Sequence, residues 1–373
     1  MAGKQKMIKG FLTATLLLAL LLQAGCAFKD IDKRTFVVGI GIDPSEKVKN
    51  GFRVTLKLAK PIGNVKQEST PTYAYISHDA DTVAVAIHEM ETRVDTVLDF
   101  GHNRIIVMNK ELLTKDLDTF MDAFTRRGDI QMICFVAVAA KTSEEVVRFE
   151  PTIEAPASIA LYNYFDNTGT ESPYVVTTFL YEFRREVLGK GKDTVLPIIG
   201  VDKDNQEFHV TKSIVLKWGA KPVELTAEET KYYNSLVNKA VGFSYKIEED
   251  SMFLVLNVTE VKFKYKIVLN EGDPRIDMKI GIVGNVGESS QRLSGKSLKK
   301  YDKLAAEEIQ KKTMALLTKL QENNVDPFGF GLHYRATRLS RKGLDKEWEE
   351  RIYPEIKFNV KVDVELQSTG AVE

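Results

Sequence analysis

Five histidines, at positions 78, 88, 102, 209 and 333, are the first residues to ask about metal or acid–base chemistry, and no two of them stand at ligand spacing. His88-Glu89 opens like a zinc-protease helix, but Thr92 occupies the place of the second histidine, so the motif lacks one of its two nitrogen ligands. Gly39-Ile40-Gly41-Ile42-Asp43-Pro44 begins like a dinucleotide loop and then puts proline where a third glycine would let a helix approach, which reads as a strand running into a turn. Gly295-Lys296-Ser297 stands at the mouth of a helical pattern, as a phosphate loop would. The glycine needed five places earlier is Ser290, and Gly287 does not repair the spacing. There is no Gly-x-Ser-x-Gly elbow. The lysines at 296, 299, 300 and 303 are diluted by Glu307 and Glu308 and read as a solvated helix face. These residues provide no catalytic, metal-binding or cofactor-binding constellation.

The two cysteines differ in context. Cys134 lies in an apolar run, residues 130–139, and is expected to be a buried thiol in a central strand. Cys26 follows a short basic stretch with Lys4, Lys6 and Lys9, an apolar run over residues 11–22, and Gln23-Ala24-Gly25. That is the layout of an export signal, residues 1–25, and its Ala-Gly-Cys ending looks like a lipobox, whose cysteine is acylated and becomes the new N-terminus. The apolar run is shorter than the ~20 residues a spanning helix needs. Cys26 is therefore the candidate lipid-attachment residue, the alternative being an uncleaved anchor helix over residues 7–28 that would tether the chain to the same membrane face.

The elements that must carry any site follow from composition and periodicity. The 373 residues are 43% hydrophobic and 28% charged, a globular composition sufficient for two or three domains. The formal charge is zero, and removing residues 1–25 leaves a small acidic excess, so no global field draws the chain to nucleic acid. Strands are predicted over residues 35–42 and 52–58, joined at Asn50-Gly51 as a half-buried hairpin, then over 72–77, 104–108 and 131–140. Helices are predicted from a cap at Asp79 or Asp81, and over 114–125, 142–147, 158–165 and 176–187. Gly189-Lys190-Gly191-Lys192 reads as a linker, giving domains of residues 26–190 and 193–373, the second with a possible break near 290. Beyond it, strands at 195–201, 207–218, 252–269 and 276–282 precede a long helix capped by Ser294 or Ser297 and ending near Glu322. The final strand alternates Ile356, Phe358, Val360, Val362, Val364 and Leu366 with polar residues, so one face must be covered, the long helix being the natural cover. The fold class is multidomain α+β, with mixed and antiparallel sheets, flanking helices, and a long helix packed on a C-terminal antiparallel sheet.

Several stretches, in order, resemble one family. Cys26-Ala27-Phe28-Lys29-Asp30-Ile31 with Val38-Gly39-Ile40-Gly41-Ile42-Asp43, Phe100-Gly101-His102 with Ile105-Ile106-Val107, Asp326-Pro327-Phe328-Gly329-Phe330-Gly331 after the charged helix, and Trp348 with Tyr353-Pro354-Glu355-Ile356 are similar to stretches of the Ger(x)C lipoproteins, the C subunits of nutrient germinant receptors of spore formers. The resemblance implies a non-enzymatic lipoprotein on the outer face of the inner spore membrane. It also implies partnership with a membrane-embedded A subunit and a B subunit, and no cofactor. A rival reading is an exported lipoprotein that captures a small nutrient by itself, and a third is an anchored hydrolase, for which no nucleophile and base can be paired. Residues 326–331 read either as an ordered connection packed on their own domain or as a loop that touches a partner.

Overall fold

The computed structural model describes residues 33–59, 73–114, 117–151, 160–168, 172–238, 241–249, 252–270, 273–291, 293, 298–338 and 342–368, with single positions among the first fifteen. Cys26, Ser294, Gly295, Lys296 and Ser297 lie outside the described residues. No described helix is long and apolar enough to cross a membrane.

The first sheet is built outward from β1 (Arg34–Pro44). On one side, β2 (Phe52–Ala59) and β3 (Tyr73–Ala80) add antiparallel strands, with Asn50 at φ 57° making the hairpin turn. On the other side, β4 (Val97–Asp99) and β5 (Ile105–Asn109) pair in parallel with β1, followed by parallel β6 (Phe135–Ala139) and β7 (Thr194–Asp202). The antiparallel strands β8 (Glu207–Leu216) and β9 (Val223–Leu225) complete it. Helices α1 (Val83–Glu91), α2 (Leu117–Thr125) and α4 (Leu180–Leu188) bury side chains against one face, while α3 (Ser143–Arg148) covers the other. Strands covered on both faces must be apolar throughout, and β5 and β6 are buried at every position.

Double coverage also corrects the half-buried hairpin expected from the alternation in β2. Thr55 and Lys57 of that strand face inward and are answered there. Thr55 bonds Ser77 at 2.9 Å, and the buried Lys57 lies over the rings of Tyr73 and Tyr75. The cap of α1 is Thr82, whose hydroxyl accepts the Val85 N–H, whereas Asp79 is drawn away by Ser45 and Arg53. β6 starts later than expected because residues 131–134 turn beneath it, with the Cys134 N–H donating to the Gln131 carbonyl. α4 also starts late, since the chain at Thr178 accepts the Val136 N–H and runs along β6 as extended backbone.

The second sheet has the order β10 (Phe243–Glu249), β11 (Met252–Asn270), β12 (Asp273–Ser289), β13 (Lys357–Leu366). Its first three strands are antiparallel. β13 joins β12 in parallel, because the chain returns to it through the long helix α6 (Leu298–Glu322) rather than a hairpin. Ala305, Ile309, Leu316 and Leu320 of α6 share a core with Ile276, Met278, Ile280, Val360 and Val362, the cover that the alternation required.

Gly189 to Lys192 lead into β7, which pairs with β6, so the first sheet continues past the expected division to Leu225 and the sheets change over between Leu225 and Phe243. The crossover is α5 (Ala227–Val237), whose buried residues include the polar Thr230, Asn234 and Ser235. Each is paired: Thr230 with Ser213 of β8, Asn234 with the Ser172 and Val175 carbonyls, Ser235 with Tyr245 of β10. Val195, Val215, Val223 and Leu225 of the first sheet join the core of the second, so one apolar cluster spans both.

Candidate functional site at the joint between the sheets

Two segments set apart in the sequence meet here. Residues 326–331 leave α6 and enter α7 (Phe330–Ala336), and they pack against residues 191–193 at the start of β7. The Asp326 N–H donates to the Asp193 carboxylate at 2.6 Å, while the Asp193 N–H donates to the Asp326 carbonyl at 3.0 Å, closing a reciprocal pair across 133 positions. The Asp326 carboxylate accepts the N–H groups of Gly329, Phe330 and Gly331 at 3.0, 3.1 and 2.7 Å, which caps the turn and α7. The Leu332 N–H reaches the Gly191 carbonyl at 2.6 Å. Residues 326–331 thus join one sheet to the other within the chain.

Glycine is required at two of these positions by close approach. Gly191 has φ 92°, and a Cβ there would lie 2.6 Å from the Leu332 nitrogen. A Cβ on Gly331 would lie 2.6 Å from the indole of Trp348 and 3.1 Å from the Gly191 Cα. The two phenylalanines turn into the second sheet. Phe328 and Phe330 stack on each other, and Phe330 meets Tyr265 edge to face with centroids 4.9 Å apart. Tyr353 donates to the Val325 carbonyl and Tyr233 to the Pro327 carbonyl. Lys190 pairs with Asp345, and Lys192 with Glu186.

A buried carboxylate, Asp326, therefore lies beside a half-buried one, Asp193. Burial pushes Asp326 up to about 7, the three amides pulling the other way and Asp193 adding to the rise. Burial likewise pushes Asp193 up to about 6, against the pull of the Asp326 N–H and the Lys217 ammonium. A cavity of about 340 Å³ opens beside them, lined by Leu188, Asp193, Trp218 and Glu349 among others.

A second polar site lies at the carboxyl ends of β1 and β6, around a crevice of about 870 Å³. Asp43 is its buried base. It accepts the Ser143 N–H and hydroxyl at 2.7 Å each, the Glu144 N–H at 2.9 Å and the Asn109 amide at 2.8 Å, capping α3. Above it, Arg53 bridges Glu144 at 2.7 Å and Asp79 at 2.8 Å, and Arg148 reaches Glu144 at 2.8 Å. Hydrogen bonding to Arg53, reinforced by Arg148, holds the Glu144 carboxyl at about 2 despite partial burial. Lys203 pairs with Glu145 at 2.8 Å.

The other sequence candidates stay apart. His78 pairs with Glu89, His88 with Glu91, and His102 packs on Phe36. Among the described residues no group of three could hold a metal. Gly39 and Gly41 lie within β1, as a strand entering a turn. Cys134 is buried one residue before β6 rather than within it, and burial pushes its thiol up to about 12. Cys26 is outside the described residues. Nothing local in the sequence singles out Asp193, and Asp43 stands out only as the end of a strand. Asp-Pro pairs occur three times, at 43-44, 273-274 and 326-327, and the second opens β12, so the pair by itself does not mark a helix-capping carboxylate.

Known proteins match both halves of the chain. Residues 28–214 match the family model described as the spore germination protein N-terminal domain, and residues 215–370 match that described as spore germination B3/GerAC like, C-terminal. The chain is 21% identical over 283 residues to the spore germination protein GerQC of Bacillus cereus, covering 74% of this chain and 77% of that protein. It is 20% identical over 377 residues to the putative spore germination protein YfkR of Bacillus subtilis (strain 168), covering 95% and 96%. The crystal structure of the GerBC protein superposes with a TM-score of 0.58 at 15% identity, over 88% of this chain and 97% of that one, which establishes the shared fold. With both of its halves matched in order, the chain belongs to the Ger(x)C family of spore germination proteins.

Proposed function

We propose that this chain is the C subunit of a nutrient germinant receptor. It is exported, cut before Cys26, and held by acyl chains on that cysteine at the outer face of the inner spore membrane, where it supports assembly of the receptor with A and B subunits. The observation that carries this reading is the continuous family match, which begins at residue 28, two positions after a cysteine preceded by Ala24-Gly25 and an export-type segment. Acyl chains suit the task because each buried methylene adds about 0.8 kcal/mol of membrane affinity, so two or three chains hold a globular body stably. The interlocked sheets suit it too, since a shared core and a reciprocally bonded joint let one body present fixed interfaces to membrane-embedded partners.

The test is Cys26→Ala in the full chain, followed through spore membrane fractionation and co-purification. The variant is expected to leave the membrane fraction, and the unaltered chain to be recovered with polytopic partners. Recovery of a processed Cys26→Ala chain still in the membrane would contradict the anchor. Recovery of the unaltered chain as a monomer that binds a small nutrient tightly would favour the rival binding protein.

A further inference from the structure

On the reading that Cys26 is acylated, we infer that the end of the first sheet at which its parallel strands begin is the surface that meets the bilayer, with Val97 and Ile133 seated at the boundary of headgroups and acyl chains. Tether length limits the choice of face. Six residues separate Cys26 from Lys33, so the start of β1 lies at most about 24 Å of extended chain from the lipid. Arg34 is the first residue of β1, and Val97 is its register partner on β4. The turn over residues 131–134 lies beneath β6 at the same end, since Phe135 pairs with Ile105 and Ile105 with Gly39.

Two large aliphatic side chains are left in solvent at that end, Val97 at 60% and Ile133 at 56% exposure. The same stretches of chain carry Arg34, Arg126 and Arg127, paired with Asp99 at 2.5 Å, Asp122 at 2.6 Å and Asp129 at 2.8 Å. Exposed aliphatic groups at an end that also carries ion pairs fit the headgroup boundary of a bilayer, where aliphatic groups enter and guanidinium groups stay hydrated. Each of these three arginines has its own carboxylate, so none of them calls for anionic lipid.

One competing surface is the outer face of the second sheet. There Lys264, Lys279 and Lys361 lie directly opposite one another across β11, β12 and β13. Like charges in one row repel. A bilayer seated on that face would have to be anionic, and its hold would weaken with salt.

The full lipidated chain, reconstituted in neutral phosphatidylcholine vesicles carrying a headgroup quencher, tests the assignment. An environment-sensitive fluorophore is placed in turn at Val97→Cys, Ile133→Cys, Lys47→Cys and Lys279→Cys. The native thiols do not compete, because Cys26 is acylated and Cys134 is buried. Labels at 97 and 133 are expected to lose most of their emission to the quencher, and those at 47 and 279 to keep theirs. Unquenched labels at 97 and 133 on a chain that floats with vesicles and carries lipid on Cys26 would overturn the assignment while leaving the anchor intact. Quenching at 279 that needs anionic lipid would overturn it in favour of the lysine face. A chain whose N-terminal peptide has no acyl mass would overturn the anchor reading itself, and with it the tether argument.

Discussion

Asp43 and Asp326 solve the same local problem with different consequences. Each precedes a proline, is buried, and spends both carboxylate oxygens on the N–H groups that open a helix. Asp43 ties the end of β1 to α3 inside a single sheet, and charged neighbours stand over it in matched pairs, Arg53 and Arg148 with Glu144, Lys203 with Glu145. Asp326 ties one sheet to another, and the charged group that bonds to it there is a second, half-buried carboxylate, Asp193. The same cap therefore pins an element in one place and makes a titratable seam in the other.

The largest expected effect distinguishes the two glycine settings. Gly331→Ala pushes a methyl group into rigid indole and backbone, and is expected to cost about 3 kcal/mol in urea unfolding. Gly39→Ala meets only ordinary contacts, 3.7 Å from Ile105 and Lys57, and is expected to stay within about 0.5 kcal/mol. Equal losses would remove the distinction between a tight joint and an ordinary strand.

Asp43→Ala comes next. It strands two backbone N–H groups and an N–H of the Asn109 amide, an expected loss of about 2 to 3 kcal/mol in urea unfolding. Asp326→Ala is expected to cost less at pH 8 than Asp43→Ala, because the lost bonds at the joint are offset by no longer burying a charge there. A greater loss at Asp326 would reverse that comparison.

The pH dependence separates the sites by sign. Asp193 and Asp326 are raised in the folded state, so their stabilising contribution is full below about pH 4 and is lost as pH rises through about 6 and 7. Asp193→Asn keeps an acceptor for the Asp326 N–H and removes the charge, so it is expected to be neutral at pH 4 and stabilising by about 2 kcal/mol at pH 8. Glu144 is lowered, so its contribution is present above about 4.5 and is lost as pH falls toward 2. With much of that cluster reached by solvent, Glu144→Gln is expected to cost only about 1 kcal/mol at pH 7. Exchange of the Leu332 and Glu144 amides with deuterium reports the two sites separately. Identical pH profiles for the two amides would contradict the opposite signs.

The legible parts of the fold were those with a clean period. β13 alternates along its length and α6 carries a stripe at helical spacing, so both appeared with their buried faces correct. α5 was invisible because its buried side includes Thr230, Asn234 and Ser235, which become core residues only once Ser213, Tyr245 and two carbonyls are there to meet them. The joint was half legible. Gly189-Lys190-Gly191-Lys192 and Asp326-Pro327-Phe328-Gly329-Phe330-Gly331 each stood out locally, but contact between segments so far apart leaves no period in either. Asp193 therefore stands out in no local pattern of the sequence.

The membrane claim rests on one atom, the sulfur of Cys26, and is tested most directly by the mass of the N-terminal peptide of the chain recovered from spore membranes. The expected result is a peptide that begins at Cys26 and carries acyl mass on it. A peptide that begins at Met1, or one that begins at Cys26 with a free thiol, would contradict the account.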